Sequence, residues 1–183
     1  MLDLSIIIVS WNVADYLAAC LDSILRSDVA LNEAGGARPG VEIIVVDSAS
    51  QDSTVEMLAT RYLQVHVIAQ TENVGFTRGN NIGLRAARGK YVLLLNPDTE
   101  IVGDALQIMM RYLDEHPKVG IIGPHTLNGD GTHQSTRRRF PTLTTAYFES
   151  TWFQPYAPKA LLDRYYVRDE ADNATVAVDW VQG

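Results

Sequence analysis

An apolar run that ends in an amide, a proline and two carboxylates has the clearest chemical meaning in this sequence. Residues 91–95 form the run, which predicts a strand buried on both faces of a parallel sheet. Pro97 cannot continue a central strand, so Asp98 should lie at the carboxyl edge of the sheet. Ligands of open α/β sheets bind at that edge, and a carboxylate there suits a divalent cation that also holds a phosphate. An ordinary turn with solvated acids is the alternative for this segment taken alone.

Polar residues also follow two other strands of the predicted sheet. The strand at residues 5–9 ends in Ser10-Trp11-Asn12, and the strand at residues 42–46 ends in Asp47-Ser48. Because the carboxyl ends of parallel strands lie side by side, these groups should converge with Asn96 and Asp98 although they are distant in sequence. Three such strand ends in register predict a ligand site.

Residues 73–83 open a predicted helix and contain glycines and a cation close to its start. Gly75 and Gly79 would allow close backbone approach, the helix N-terminus attracts anions, and Arg78 could contact a diphosphate. Glycines that serve only tight helix packing explain this segment equally well. The first strand is followed neither by G-x-G-x-x-G nor by a Walker P-loop, which argues against dinucleotide and ordinary P-loop chemistry.

Composition limits the classes of protein that this chain could represent. With 183 residues, 46% of them hydrophobic, one domain with a sizeable core is expected. A formal charge of −7 argues against a nucleic-acid-binding protein. The single Cys20 fits a core position, permits no internal disulfide, and has no spacing to histidines that suggests zinc. No apolar run approaches the roughly 18 residues of a membrane span, and the early first strand leaves no room for a signal peptide. We therefore expect a cytoplasmic protein.

Strands and helices alternate along the first two thirds of the chain. We expect helices with Asn12, Ser53 and Asp104 as N-caps, a helix over residues 75–87, and short strands over residues 65–68 and 119–122. His66 should face solvent at a sheet edge, and residues 31–40 should form a loop. This β-α-β-α order predicts a Rossmann-like α/β fold, with a mostly parallel sheet and helices on both faces.

The last third has a different character. Residues 128–131 give a strong hairpin signal, a helix is expected around residues 144–153, and a strand over residues 176–181. The aromatic residues between 142 and 166 should form a packed core beside a solvated basic run at residues 137–139. Membrane contact through the same aromatic and basic residues is the alternative.

Taken together, the motifs resemble those of the family 2 glycosyltransferases of the GT-A fold, especially a rhamnosyltransferase-like branch that builds bacterial surface polysaccharides. The resemblance extends over residues 4–183 in ordered pieces: IIIVSWN at 6–12, VDSASQDST at 46–54, N-x-GF-x-x-G-x-N-x-G at 73–83, LLNPDT at 94–99, and VDWV-x-G at 178–183. It implies a nucleotide-diphospho-sugar transferase with a Rossmann-like fold. Transfer would run, with inversion, from dTDP-rhamnose or a UDP-sugar to a polysaccharide or lipid-linked acceptor.

The resemblance also implies roles for individual residues. Asp98 would bind Mg²⁺ or Mn²⁺ across the two phosphates, because residues 96–98 stand where the family carries its D-x-D motif. The nucleotide sugar would be contacted by residues that follow the strands and open the helix: Ser10, Trp11, Asp47, Ser48, Asn73, Gly75, Arg78, Gly79 and Asn96.

The sequence departs from the family pattern in two ways. Asn96 replaces the first aspartate of D-x-D, which leaves Asp98 as the main metal ligand. The family's catalytic base is expected beyond Gly183, so the catalytic residue is unknown, and the carboxylates at 169, 170, 172 and 179 do not match it. We therefore expect one GT-A domain truncated before its acceptor half. Residues 1–125 would be the nucleotide-sugar-binding half, and residues 126–183 the start of an incomplete acceptor-side region.

Three functions remain open from the sequence. The first is a glycosyltransferase, with peripheral contact at the inner face of the cell membrane if the acceptor is lipid-linked. The second is a non-catalytic module that holds the nucleotide sugar without turning it over. The third, a nucleotidyltransferase, normally has a glycine-rich loop with Arg or Lys after the first strand, where this chain has Ser10-Trp11-Asn12.

Overall fold

The computed structural model describes residues 1–181 and divides into two compact units. The first unit comprises Met1–Pro117, and the second begins at Lys118. The sequence predicted one domain with two halves, residues 1–125 and 126–183, and this division stays a prediction. Gly183, which closes the last predicted motif, lies outside the described residues.

The first unit is built on a five-stranded sheet in which every strand pair is parallel. Its strands are β1 (Leu2–Ser10), β2 (Ala30–Leu31), β3 (Gly40–Asp47), β4 (His66–Ala69) and β5 (Gly89–Leu95). Strand β1 lies between β3 and β5. The other edge of β3 pairs with β2 near the start of the strand and with β4 near its end. The predicted parallel α/β sheet is confirmed. The short β2 falls where only a loop was expected, whereas His66 is exposed on an edge strand as predicted.

Four helices cover this sheet: α1 (Ala14–Arg26), α2 (Thr54–Arg61), α3 (Gly75–Ala86) and α4 (Ala105–Glu115). Apolar residues of α1, α2 and α4, such as Leu21 and Leu58, form one core with Ile6 and Ile8 of β1. Successive strand residues point to opposite faces, and α3 packs on β1 and β3 from the other face. The helices therefore lie on both sides of the sheet, as predicted.

None of the three predicted N-cap residues caps its helix with a side-chain hydrogen bond. Ser53 and Asp104 occupy N-cap positions without a side-chain hydrogen bond, and Val13, not Asn12, is the N-cap of α1. Asp52 takes over at two helix starts, because its Oδ1 accepts from the Thr54 backbone N–H at 3.0 Å and its Oδ2 from that of Ala14 at 3.1 Å. The Asp52 carboxylate therefore links the start of α1 to the start of α2.

Strand β5 is not buried on both faces, which corrects the prediction from its apolar run. Leu93 and Leu95 pack against the core, whereas Val92 and Leu94 are 43% and 50% exposed. Within residues 1–181, β5 pairs with β1 alone and is an edge strand, and α3 covers β1 and β3 instead of β5. An uninterrupted apolar run could not reveal which of its faces lacks a covering helix.

A buried carboxylate links β1 and β3 to the start of β5 at the amino end of the sheet. Glu42 of β3 is 1% exposed and accepts hydrogen bonds from the Ser5 hydroxyl of β1 at 2.6 Å and from the Arg88 guanidinium at 2.7 and 2.9 Å. Burial raises the pKa of Glu42, but these hydrogen bonds outweigh it and hold the pKa below its ordinary value of 4.5. The cluster fixes the register of β1, β3 and the start of β5, and thereby the level at which each strand ends.

The second unit contains short elements: β6 (Thr126–Leu127), β7 (His133–Gln134), β8 (Arg137–Arg138), α5 (Leu143–Glu149), a 3₁₀ turn (Gln154–Tyr156), α6 (Lys159–Tyr165) and β9 (Trp180–Val181). The predicted hairpin is confirmed by the antiparallel pair β6 and β7, and β8 pairs with β9. The strand predicted over residues 119–122 does not form; these residues have no strand partner in residues 1–181, and Ile121 is 81% exposed. The last predicted strand is reduced to β9, and α5 ends at Glu149, before the predicted end at residue 153.

Candidate functional site

The carboxyl ends of β3, β1 and β5 meet at one edge of the sheet. Ser10 of β1 stands opposite Asp47 of β3, so these two strands end at the same level. Strand β5 ends at Leu95, opposite Ile8, and Asn96 and Asp98 follow it along the same edge. The structure therefore brings together the strand ends that the sequence predicted to converge.

Two buried oxygen atoms at this edge have no hydrogen-bond partner. Asp47 is 1% exposed, and its Oδ2 accepts from the Ser50 backbone N–H at 3.0 Å, while its Oδ1 is unpartnered. The fully buried Ser10 hydroxyl also lacks a partner in residues 1–181. Native proteins leave few buried polar groups unsatisfied, so these two oxygens, on strands that end side by side, are candidates for hydrogen bonds to a water or a ligand.

The loops after β1 and β3 hold each other in place. The Asn12 backbone N–H donates to Ser50 Oγ at 2.9 Å, and the Gln51 backbone N–H donates to Asn12 Oδ1 at 2.7 Å. Asn12 and Ala49 both adopt positive φ, 53° and 61°, which orients the two loops toward each other. Asn12 is therefore used across the loops and not as a helix cap.

Trp11 lies on this loop pair with its side chain largely free. The residue is 54% exposed, and its neighbours Ser10 and Asn12 are held by β1 and by the loop contacts. Because its backbone is held on both sides and its ring is open to solvent, Trp11 offers a face for stacking at the sheet edge.

Ser48 and Asn73 bind each other and position the start of α3. Ser48 Oγ donates to Asn73 Oδ1 at 3.0 Å and accepts from the Val74 backbone N–H at 2.8 Å. Asn73 Oδ1 also accepts from the Gly75 backbone N–H at 2.9 Å, and Gly75 has a φ of 69°, which favours glycine. These contacts anchor the predicted helix start beside the end of β3.

Tight packing accounts for Gly79, and an exposed ion pair holds Arg78. A Cβ atom at Gly79 would lie 2.8 Å from Val9 Cγ1, so the glycine lets α3 approach the sheet. The Arg78 guanidinium lies 3.1 Å from Glu72 Oε1, and both side chains are about two-thirds exposed. Such surface pairs contribute little free energy, so Arg78 remains available to an incoming anion.

Asp98 is the uncommitted carboxylate of the segment after β5. Asp98 is exposed and makes no hydrogen bond or ion pair within residues 1–181, whereas Glu100 pairs with Arg26 at 3.4 Å. Below them, burial and, to a smaller extent, the charges of Asp98 and Glu100 together raise the pKa of Cys20 to about 12. Cys20 is therefore a neutral thiol at neutral pH.

The donor set at Asp98 suits a magnesium-type ion that takes most of its ligands from elsewhere. Residues 1–181 hold no group of three or more His, Cys, Asp or Glu side chains arranged for a metal. Mg²⁺ is commonly held by one or two carboxylates, with waters and substrate phosphates as its other ligands. One free carboxylate at the carboxyl edge of a parallel sheet fits that pattern.

The basic run of the second unit is not solvated, which corrects the sequence expectation. Arg138 is buried, with its guanidinium 4.5 Å from the Tyr166 ring centroid. The side chains of Arg137 and Arg139 are 14% and 29% exposed and pair with carboxylates at 3.5 and 2.9 Å. The aromatic residues form ring contacts but are not a closed core, since Trp152 is 76% exposed.

Sequence reasoning missed Ser50, which supports the site from both sides. The Ser50 backbone N–H donates to Asp47 Oδ2, and the Ser50 hydroxyl oxygen accepts from the Asn12 backbone N–H. The available signal was the spacing, because an aspartate that accepts from the N–H three residues later is a common turn motif.

The comparisons with known proteins agree with this fold. The family model described as glycosyl transferase family 2 matches residues 5–171. Minor teichoic acid biosynthesis protein GgaB of Bacillus subtilis is 27% identical over 118 residues, which are 62% of this chain and 12% of GgaB. Poly(ribitol-phosphate) beta-N-acetylglucosaminyltransferase TarS of Staphylococcus aureus is 27% identical over 139 residues, 74% of this chain and 23% of TarS. The chain thus spans less than a quarter of these two relatives.

Solved structures give the same result. S. aureus TarS 1–349 in complex with UDP aligns with a TM-score of 0.60 and 27% identity, covering 74% of this chain and 39% of TarS 1–349. The complex of the same TarS fragment with UDP-GlcNAc gives 0.61 and 24%, covering 81% and 43%. Mannosyltransferase PcManGT from Pyrobaculum calidifontis with GDP-Man and Mn²⁺ gives 0.51 and 26%, covering 60% and 32%. These neighbours are GT-A glycosyltransferases. With this fold and a family match over most of its length, the chain belongs to glycosyl transferase family 2.

Proposed function

We propose that the first unit binds the nucleoside diphosphate of an activated sugar at the carboxyl edge of its sheet. The observation that carries the proposal is the pair of buried, unpartnered oxygens, Asp47 Oδ1 and Ser10 Oγ, at the same edge as the uncommitted Asp98. A nucleoside presents N–H and hydroxyl donors for the first two, and a metal-bound diphosphate suits the third.

The proposed donor is a UDP-sugar or a dTDP-sugar such as dTDP-rhamnose. Asp47 accepts from the base or ribose, Ser10 bonds the nucleoside, and Trp11 offers its exposed ring for stacking. Ser48 and Asn73 contact the nucleotide from the loop they stabilise. Solved TarS complexes with UDP and UDP-GlcNAc support a uridine donor, since they share this fold.

Asp98 and Asn96 are proposed to hold Mg²⁺ or Mn²⁺ against the two phosphates. The ion supplies positive charge that offsets the negative charge on the departing nucleoside diphosphate. Asp98 contributes a carboxylate that no other side chain of residues 1–181 engages, and Arg78 adds a cation from the start of α3. The PcManGT complex contains Mn²⁺, which supports a metal-dependent donor site.

A panel of nucleotides tests this proposal. UDP, dTDP and GDP are titrated calorimetrically into the 183-residue protein, with Mn²⁺ and with EDTA. We expect UDP or dTDP to bind with one site per chain, and EDTA to weaken that binding. If none of the three nucleotides binds in Mn²⁺, the proposed function is wrong.

The complete reaction is proposed as sugar transfer, with inversion, to a polysaccharide or a lipid-linked acceptor. We propose a cytoplasmic protein, which an acceptor anchored in lipid would bring to the inner face of the membrane. None of the helices in residues 1–181 is long and apolar enough to cross a membrane. The relative GgaB is named for minor teichoic acid biosynthesis. Its role in making a polymer of that kind supports a polysaccharide or lipid-linked acceptor.

A second proposal is that these 183 residues bind donor but transfer sugar very slowly. The sequence offers four carboxylates as candidate bases, at residues 169, 170, 172 and 179. Three are engaged: Asp169 with Arg139, Asp172 with Arg137, and Asp179 Oδ2 as acceptor from the Phe140 N–H at 2.7 Å. Glu170 is exposed, and its side chain makes no hydrogen bond or ion pair within residues 1–181. Loss of general-base help lowers a rate by about 10²–10⁴-fold. Release of UDP in the presence of a lipid-linked or polysaccharide acceptor measures transfer, and robust turnover would show that one of these acids serves as base.

A further inference from the structure

Two of the four histidines of the chain meet on the hairpin of the second unit. His125 directly precedes β6, and His133 begins β7. In the antiparallel register His133 stands opposite Leu127, so His125 is its diagonal neighbour on the same face of the hairpin. Their imidazoles face each other, with His125 Nε2 2.7 Å from His133 Nδ1.

The hairpin holds this pair on a well-ordered turn. The Gly131 backbone N–H donates to the Asn128 carbonyl, and the Asn128 backbone N–H donates to the Thr132 carbonyl, both at 2.8 Å. Asp130 Oδ1 accepts from the backbone N–H and the hydroxyl of Thr132 at 2.9 and 2.6 Å. The backbone on which both histidines stand is therefore fixed by its own hydrogen bonds.

A nearby carboxylate favours the tautomer of His133 in which Nδ1, the nitrogen that faces His125, carries the lone pair. Asp172 Oδ1 lies 3.7 Å from His133 Nε2 and favours hydrogen on that nitrogen. Nδ1 then presents a lone pair to His125. Arg137 also lies 3.5 Å from this carboxylate and keeps it in place. A carboxylate beside the outer nitrogen is the usual support of an imidazole metal ligand, and at 3.7 Å Asp172 acts here through its charge, without a hydrogen bond.

We propose that His125 and His133 together bind a divalent transition metal of the zinc type. Binding moves the hydrogen of His125 from Nε2 to Nδ1, so that both facing nitrogens present lone pairs and both rings stay neutral. Zn–N bonds of about 2.0–2.1 Å in tetrahedral geometry place two nitrogens about 3.3 Å apart. The pair must therefore open by about 0.6 Å. His125 can shift, since it is exposed and its ring bonds only His133 within residues 1–181.

This site differs in chemistry from the nucleotide-binding edge. Imidazole nitrogen prefers zinc, copper and nickel, whereas a carboxylate such as Asp98 prefers magnesium and manganese. Two protein ligands leave the remaining positions of the metal to water, which the exposure of His125 permits. The proposal goes beyond the glycosyltransferase function and does not depend on it.

Calorimetric titration with ZnCl₂ alone tests the site. We expect one zinc per chain in the unsubstituted protein, and affinity at least about tenfold lower in His125→Ala and in His133→Ala. His66→Ala and His116→Ala are matched controls that should bind zinc normally. Asp172→Asn should lower zinc affinity by roughly tenfold, because it removes the support and not a ligand.

Cu²⁺ provides a second readout that does not depend on stability. Its electron paramagnetic resonance spectrum should show coupling to imidazole nitrogen, lost when both histidines are replaced. Equal zinc affinity in the unsubstituted protein and the double variant H125A/H133A, confirmed as folded by circular dichroism, would overturn the proposal. That result would leave the pair as a hydrogen bond between imidazoles.

Discussion

Replacement of Asp47 by asparagine separates the function of the site from its stability. Asp47 is 1% exposed, one of its oxygens accepts from the Ser50 N–H at 3.0 Å, and the other has no partner. Asparagine can keep the first bond through its own Oδ1. It replaces the unpartnered acceptor by an amide donor, which cannot accept from a nucleoside N–H or hydroxyl.

The expected loss of affinity follows from the bond that disappears. A hydrogen bond to a charged group contributes about 1.5–3 kcal/mol, so UDP or dTDP should bind Asp47→Asn about 10- to 150-fold more weakly in Mn²⁺. The free energy of unfolding should change by less than about 1 kcal/mol, because the variant removes an unsatisfied buried carboxylate and keeps the Ser50 contact. Weakening by EDTA should persist, because Asp98 is unaltered.

Calorimetry with UDP and dTDP, together with urea unfolding, measures both quantities. Asp52→Asn is the matched control, since Asp52 follows the same strand but its oxygens are occupied by Thr54 and Ala14. That variant should lower stability with little effect on nucleotide affinity. Unchanged affinity in a folded Asp47→Asn protein would refute the reasoning and leave Asp47 as an ordinary strand-end acid.

Three further predictions concern the metal, the helix packing and the buried acid. Asp98→Ala should weaken UDP binding in Mn²⁺ by about 1–3 kcal/mol, and equal calorimetric affinity would contradict its assignment as metal ligand. Gly83→Ala should lower stability by about 1–3 kcal/mol in urea unfolding, because its Cβ would lie 2.4 Å from Ile7 Cγ2. Gly120→Ala, with open space around it, should change stability by less than about 0.5 kcal/mol. Because the pKa of Glu42 is lower in the folded protein, its stabilisation is present above the ordinary value of 4.5 and is lost as pH falls through the folded pKa. The unfolding free energy of Glu42→Gln should therefore depend less on pH in that range, and an unchanged pH profile would contradict this.

The sequence predicted the sheet and its polar edge because both follow from local patterns. Apolar runs that stop at Ser10, Asp47 and Asn96 mark strand ends, and parallel pairing brings such ends together. The exposure of Val92 and Leu94 could not be read in the same way. It depends on which strands α3 covers, and that is decided by where Gly79 and Gly83 permit close approach.

Contacts between distant residues account for the other differences. Asn12 looked like a helix cap, but a positive φ turns it toward Ser50, 38 residues away. The arginines at 137–139 looked solvated because their partners, such as Asp169 and Tyr166, lie about 30 residues further along the chain. His125 and His133 meet because a hairpin aligns them, and no short zinc spacing signals that contact.

We propose that a metal-bound nucleoside diphosphate occupies the carboxyl edge of the sheet in the first unit. The most direct test is amide NMR of the ¹⁵N-labelled protein with UDP, comparing paramagnetic Mn²⁺ with diamagnetic Mg²⁺. We expect UDP-dependent loss of signal centred on Asp98 and extending to Ser10 and Asp47. Loss of signal centred elsewhere, or identical in the presence and absence of UDP, would contradict the claim.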